Sequence, residues 1–253
     1  MTEPFIRPVI FREFGDLIAL QTTRNGGVSP FPRASLNFGE NTGDDPKNVE
    51  RNRRTLCALL DVSPSSLATA GQVHGTRVVH AKKGGYYADC DAFVTATRGV
   101  FLGILTADCF PILLYDPQTG ACGAAHAGWK GSAGNICAET LGAMRRAFGT
   151  RPSDCRAWIG TGITGKRYEV GSDVAERFAV TYRKPSAPGK FLLDLAAVNF
   201  DQLEGAGMRP ERIGVSSYCT AGDNDRFYSY RRERGKTGRM LSLVGLRRIR
   251  RVC

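Results

Sequence analysis

Short apolar runs punctuated by Gly, Pro and Asp dominate the middle of the chain. RVVHA (77–81), DAFVTA (91–96), VFLGILTAD (100–108), PILLYDP (111–117) and ACGAAHA (121–127) each have the length and flanks of a strand. LIALQTTR (17–24) before them reads the same way, as do CRAWIG (155–160), RIGVSSYC (212–219), RFYSY (226–230) and RMLSLVGL (239–246) after them. Asp44 or Asp45 followed by Pro46 opens a helix through PKNVERNRRTLCALL, with Val49, Leu56, Leu59 and Leu60 as its buried stripe. Further helices are predicted over 131–148, 172–181 and 193–207, the last stopped by Gly205 and Gly207. NGGVSPFPRASLNFG (25–39) is expected to be irregular, and RKPSAPGK (183–190) to be a surface loop. Most neighbouring strands have no helix between them, which disfavours a doubly wound parallel sheet. The pattern predicts an α+β fold: a single layered domain, residues 1–253, of mixed β-sheets flanked by helices.

Composition narrows the function classes. A chain of 253 residues with 42% hydrophobic and 23% charged residues can bury a full core without covalent staples. No apolar run approaches a membrane span, and the N-terminal stretch carries Glu3 and Glu13 without an apolar h-region, so a cytoplasmic protein is expected. Eight cysteines contain no CxxC pair, and most are expected to be buried thiols acting as small hydrophobes. The net charge of +11 is concentrated from Arg226 onward, where ten Lys/Arg face one Glu. No nucleic-acid recognition module accompanies that basic tail, so a small-molecule partner is favoured over nucleic acid. Only three histidines are present, His74, His80 and His126, which excludes any mechanism that needs many imidazoles.

Two phosphate-loop look-alikes fail on context. GTGITG (160–165) fits the dinucleotide glycine pattern, but strand-like KRYEV follows where a helix must open, so it reads as a turn. GKT (235–237) lacks the earlier glycine of a Walker loop, since position 230 is Tyr. The metal question is better founded. His74 in GQVHGT, Cys109 in TADCFP and His126 in AAHAGWKG all sit in strand–loop settings with nearby glycines, and two imidazoles plus one thiolate suit a catalytic zinc. The same residues suit a hydrolase with Cys109 as nucleophile and His126 or His74 as base, and spacing alone leaves both open. In a regular strand, Asp108 would point away from Cys109. The helix after GWKGSAGN offers N–H groups to an anion. His80 reads as a plain strand residue. Arg231 and Arg232 suit either a substrate anion or a solvated strand, and Asn37 and Arg53 are equally ambiguous.

Long segments resemble one family from about residue 20 to 246. They are TTRNGGVSPFPRASLNFGENTGDDPKNVERNRRTL, GQVHGTRVV, ADCDAFVT, LTADCFPILLYDP, AAHAGWKG, YEVG, LDLAAVNFDQL and RFYSYRRERGKTGRMLSLVGL. The family is the laccase-domain family, labelled multicopper polyphenol oxidase and also described as purine nucleoside phosphorylases and peptidoglycan-editing factors. The resemblance implies one zinc on His74, Cys109 and His126, with Cys109 and His126 catalytic, and substrate contacts at Asn37, Arg53 and Arg231. It implies a layered fold distantly like a toxin deamidase. The activities it implies are phosphorolysis of adenosine, inosine, guanosine and methylthioadenosine with phosphate as co-substrate, and deamination of adenosine. Its alternative is an amidase that removes misincorporated serine from a UDP-muramyl precursor. The chain departs from the family pattern at GTGITGKRYEVG, where Thr161 and Arg167 stand in place of Pro and Cys. The laccase label needs a blue site and a separate copper cluster, both rich in imidazole, and three histidines cannot furnish them. A single Cu²⁺ can still displace Zn²⁺ at such ligands when the protein is loaded with it.

Overall fold

Strands apolar on both faces need cover on both sides. The computed structural model, which describes residues 4–248, supplies that cover as helix, sheet, sheet and helices in order. Residues 249–253, the end of the basic tail with Cys253, lie outside the described residues. One six-stranded sheet runs in the order Phe5–Ile6, Leu17–Thr22, Met240–Leu246, Phe101–Thr106, Leu67–Ala70, Gly85–Tyr87. The other runs Ile213–Val215, Arg156–Ile159, Phe110–Asp116, Ala121–Ala127, Ala92–Thr95, Val78–His80. Both are mixed: the hairpin pairing Phe110–Asp116 with Ala121–Ala127 is antiparallel, while Val78–His80 runs parallel to Ala92–Thr95. The predicted α+β architecture is what the chain adopts.

Strand alternation assigns each face. Along Phe110–Asp116, Leu113 and Tyr115 face the first sheet, packing with Leu102, Ile104 and Val244, whereas Phe110, Ile112 and Leu114 face the helices Ile136–Phe148 and Leu195–Gly205. The helix Pro46–Leu59 covers the outer face of the first sheet through Leu56 and Cys57, against Leu20, Phe101 and Leu243. Asp45 caps it by accepting from the Lys47 N–H, with Pro46 at the first position. Leu59, expected in its buried stripe, is 60% exposed: it falls outside the arc set by Val49, Asn52, Leu56 and Cys57.

Four other expectations need correction. The helix over 131–148 is two helices, Trp129–Ala133 and Ile136–Phe148, because Asn135 turns left-handed (φ 59°) and its side chain caps the second by accepting from Ala138. The helix over 172–181 stops after Ser172–Ala175, and Ala179 is extended, which turns Phe178 into the core. RKPSAPGK is no plain loop. It forms the strand Arg183–Ala187 and the turn into Lys190–Leu193, and Pro185 is tolerated because its strand is an edge. RFYSY is not a strand: its buried N–H groups are served by side chains. Tyr228 N–H donates to the Met240 sulfur and Ser229 N–H to Glu233. Among the described residues no helix is long and apolar enough to cross a membrane.

Candidate metal centre

The three candidate ligands come from three separate chain segments. His126 lies near the end of the strand Ala121–Ala127, on the face it shares with Cys122 and Ala124, which looks between the sheets. Cys109 occupies the connection between Phe101–Thr106 and Phe110–Asp116. His74 sits in the loop after Leu67–Ala70 with a left-handed backbone (φ 61°). Their ligand atoms all lie within 4.8 Å of one another; His126 is buried, Cys109 half-buried and His74 exposed. Gly128 permits this closeness, since a Cβ there would stand 2.9 Å from the Cys109 sulfur and 3.1 Å from the His74 ring.

A buried carboxylate organises the trio, and sequence reading passed over it. Asp91, fully buried, accepts from the backbone N–H groups of Val73 (3.2 Å), His74 (2.9 Å) and Gly75 (2.7 Å) and contacts His126 Nδ1 at 2.9 Å. It therefore fixes the His74 loop and the His126 ring together. With Nδ1–H given to Asp91, His126 in its neutral form presents the lone pair of Nε2 to the cluster. Burial raises the Asp91 pKa, but the His126 and backbone hydrogen bonds hold it below the ordinary carboxylate value. The signal available in the sequence was an aspartate opening the apolar run Ala92–Thr95, with no cation beside it.

Burial opposes ionisation of Cys109, yet the charges and hydrogen bonds of His126 and His74 outweigh it and bring the thiol down to about 6. For His126, burial disfavours the imidazolium, and Cys109 and Asp91 overturn that effect, raising it to about 9. Without a metal these shifts make Cys109 and His126 a thiolate–imidazolium pair at neutral pH. Once the His126 proton is displaced, a thiolate and two imidazoles, with a carboxylate behind one of them, are a donor set that could hold a divalent metal. The other cysteines contrast with it: burial lifts Cys57 and Cys90 to about 11, and Cys137 and Cys155 to about 12.

The trio forms part of the wall of a cavity of about 810 Å³ that also receives Trp129, Tyr168, Tyr230, Arg53, Arg231 and Arg239. Arg53 pairs with Glu40 at 2.7 Å. Arg231 is exposed, donates to the Glu169 carbonyl and lies over the Tyr168 ring at 5.2 Å. Asp108 has φ 88°, so the regular-strand argument does not apply to it. Its carboxylate accepts from the Thr220 hydroxyl (2.6 Å) and the Arg231 N–H (2.7 Å), fixing the Arg231 segment against the cavity.

Asn37 does not line the cavity. It is fully buried, its amide donating to Thr42 and Asp44 and its oxygen accepting from Gly39 and Arg239. Its polar atoms are committed to the loop, which leaves none for a substrate. Arg232 is turned to the Ala221 carbonyl and is absent from the lining. His80 is an exposed strand residue, edge-on to Phe148. GTGITG is a turn clasped by Gln21, which accepts from Thr161 N–H and donates to its carbonyl. The helix after GWKGSAGN is Ile136–Phe148; the Asn135 side chain caps its start by accepting from Ala138 N–H, and its first turn is absent from the cavity lining.

The profile of a family described as multi-copper polyphenol oxidoreductase laccase matches residues 18–247. A protein named purine nucleoside phosphorylase from Deinococcus radiodurans is 46% identical over 230 residues, covering 90% of this chain and 88% of that protein. Purine nucleoside phosphorylase YlmD of Bacillus subtilis is 36% identical over 248 residues, covering 92% and 89%. Among solved structures, YlmD from Geobacillus stearothermophilus superposes with a TM-score of 0.93 at 33% identity, covering 98% of both chains. Bacillus licheniformis YfiH superposes with a TM-score of 0.92 at 33% identity, covering 97% of this chain and all of that one. Matched over nearly its whole length in sequence and in fold, the chain belongs to this laccase-domain family, whose curated relatives carry the name purine nucleoside phosphorylase.

Proposed function

We propose that residues 1–253 form one catalytic domain of a cytoplasmic, zinc-dependent purine nucleoside phosphorylase, acting also on methylthioadenosine and deaminating adenosine. The observation that carries the reading is the convergence of His74, Cys109 and His126 within 4.8 Å on a cavity with room for a nucleoside and an anion. The names of the relatives support the substrate class. When bound, a zinc ion held by these three residues supplies Lewis-acid polarisation of an oxygen in the site.

The chain's own groups account for the rest. Asp91 keeps His126 in one tautomer and holds the His74 loop at fixed distance from it. Trp129 and Tyr168 offer flat apolar walls against which a purine can shed water. Arg231, fixed by Asp108, is available to an anion at the cavity wall, and Arg53 reaches the same space while tied to Glu40. In phosphorolysis a phosphate oxygen forms the bond to ribose C1′. The C1′–N9 bond breaks with its electron pair passing to the base, and the proton of hydrogen phosphate ends on the base nitrogen. In deamination water adds at the purine carbon bearing the amino group, and ammonia leaves.

One observation favours a second reading. Cys109 ionises near 6 beside His126, the pairing expected of a thiol nucleophile, and the cavity is large enough for more than a nucleoside. That reading is amide hydrolysis on a UDP-muramyl precursor. The experiment that separates them replaces Cys109 by Ala and measures metal content together with turnover of adenosine. Zinc and phosphorolysis lost together support the metal enzyme. Full zinc and full turnover in the variant contradict it.

A further inference from the structure

Three guanidinium groups reach the cavity. Arg53 is paired with Glu40, Arg231 is exposed and donates to the Glu169 carbonyl, and Arg239 is half-buried with no ion pair among the described residues. Its Nη1 donates to the carbonyls of Gly238 (2.9 Å) and Thr237 (3.3 Å), and its guanidinium lies 5.6 Å from the Tyr230 ring centre. Arginine carries five N–H donors, so those two acceptors leave capacity unspent in a partly desolvated place. Two acidic groups of the lining are engaged elsewhere: Glu40 by Arg53, and both oxygens of Asp108 by Thr220 and the Arg231 N–H.

The position of Arg239 is built, which distinguishes it from a surface cation that happens to lean inward. Its N–H is held by the Asn37 side chain at 2.9 Å, and its carbonyl accepts from Phe38 N–H at 3.1 Å. Its stem passes over Gly39, where a Cβ would stand 2.7 Å from the Arg239 Cγ. Gly238 before it abuts Tyr228, where a Cβ would stand 2.7 Å from the ring. The segment GKTGR, which is no Walker loop, thus serves to deliver one arginine to the cavity. Burial lowers the Arg239 pKa, and Arg239 and Cys109 line the same cavity.

We infer that Arg239 forms the oxyanion subsite of this cavity and binds inorganic phosphate there, with Asn37 acting through it as a positioning residue. The planar fork of arginine suits two oxygens of a tetrahedral anion, and an unpaired, partly buried guanidinium gains most from one. This inference rests on the phosphorolysis reading for its occupant.

The test uses full-length, zinc-loaded protein and the variants Arg239→Gln, Arg239→Lys and Asn37→Ala. Phosphate dependence of adenosine phosphorolysis is measured beside calorimetric titration of inorganic phosphate without nucleoside. Arg239→Gln is expected to raise the KM for phosphate at least tenfold, leave the KM for adenosine within about twofold, and keep its zinc. Arg239→Lys should fall between the two, and Asn37→Ala should shift the phosphate KM in the same direction. Protection of Arg239 from phenylglyoxal by phosphate, mapped by peptide mass in the unmodified sequence, is expected whether or not the Gln variant folds. Unchanged phosphate KM and affinity in a folded Gln variant, or no protection of Arg239, overturns the inference and leaves the phosphorylase reading standing. Should the protein show no phosphorolysis, phosphate binding that requires Arg239 still upholds the subsite. A nucleoside 5′-monophosphate that binds through Arg239 while inorganic phosphate does not bind would assign the oxyanion to the substrate and overturn the proposed occupant.

Discussion

Replacing Asp91 by asparagine perturbs the candidate metal centre without touching any of its three proposed ligand residues. The carboxylate accepts four hydrogen bonds, from the N–H groups of Val73, His74 and Gly75 and from the His126 ring. Asparagine has nearly the same shape but presents an NH₂ group where one carboxylate oxygen accepted, so at least one donor faces a donor. Hydrogen bonds to a charged group contribute about 1.5–3 kcal/mol each, and a buried donor left unserved costs about 1–3 kcal/mol. Allowing for relaxation of the His74 loop, a loss of about 2–4 kcal/mol in metal-free stability is expected. Loss of an outer carboxylate behind a ligating histidine typically weakens metal affinity by about 10- to 100-fold. Zinc affinity is read by competition with a chromophoric chelator, and stability by urea unfolding of the metal-free protein. An Asp91→Asn protein with native zinc affinity and native unfolding midpoint would refute the claim that this carboxylate organises the centre.

The remaining predictions concern the same few residues. Gly128→Ala should lose zinc while staying folded, because its Cβ would stand 2.9 Å from the Cys109 sulfur; metal analysis beside circular dichroism checks it. In metal-free protein, iodoacetamide should alkylate Cys109 with a rate that rises through about pH 6, since its thiol is depressed and the thiolate accumulates above that pH. Cys57, Cys90, Cys137 and Cys155 should resist at pH 7, because burial holds them as thiols until about 11 or 12. Zinc should protect Cys109, and peptide mapping distinguishes the sites. Asn37→Ala should lower stability by about 2–4 kcal/mol, since it strips several buried hydrogen bonds at once; denaturant unfolding reads the loss.

The strands were legible because each apolar run is short, bounded by turn residues and buried on both faces, as in Phe110–Asp116 and Ala121–Ala127. The helix start at Asp45–Pro46 was legible for the same local reason. What escaped depended on distant partners. RFYSY looks like a strand until Met240 and Glu233 take its N–H groups, and RKPSAPGK looks like a loop until Lys190–Leu193 pairs with it. Asn135 breaks a helix whose pattern runs straight through it. At the site, the three ligand residues stood out because histidine is scarce and glycines flank them. Asp91 and Arg239 did not, because an aspartate before a strand and an arginine in a basic segment gain their meaning only from groups brought to them by the fold. Asn37 stood out for its neighbourhood, but its side chain holds Arg239 instead of lining the cavity.

If a metal held by His74, Cys109 and His126 serves phosphorolysis of purine nucleosides, zinc-verified protein incubated with adenosine, with and without phosphate, will show it in the mass of its products. Adenine and ribose phosphate formed only with phosphate, and lost in His126→Ala, is the predicted result. No product from fully metallated protein, or undiminished product from the His126 variant, would contradict it.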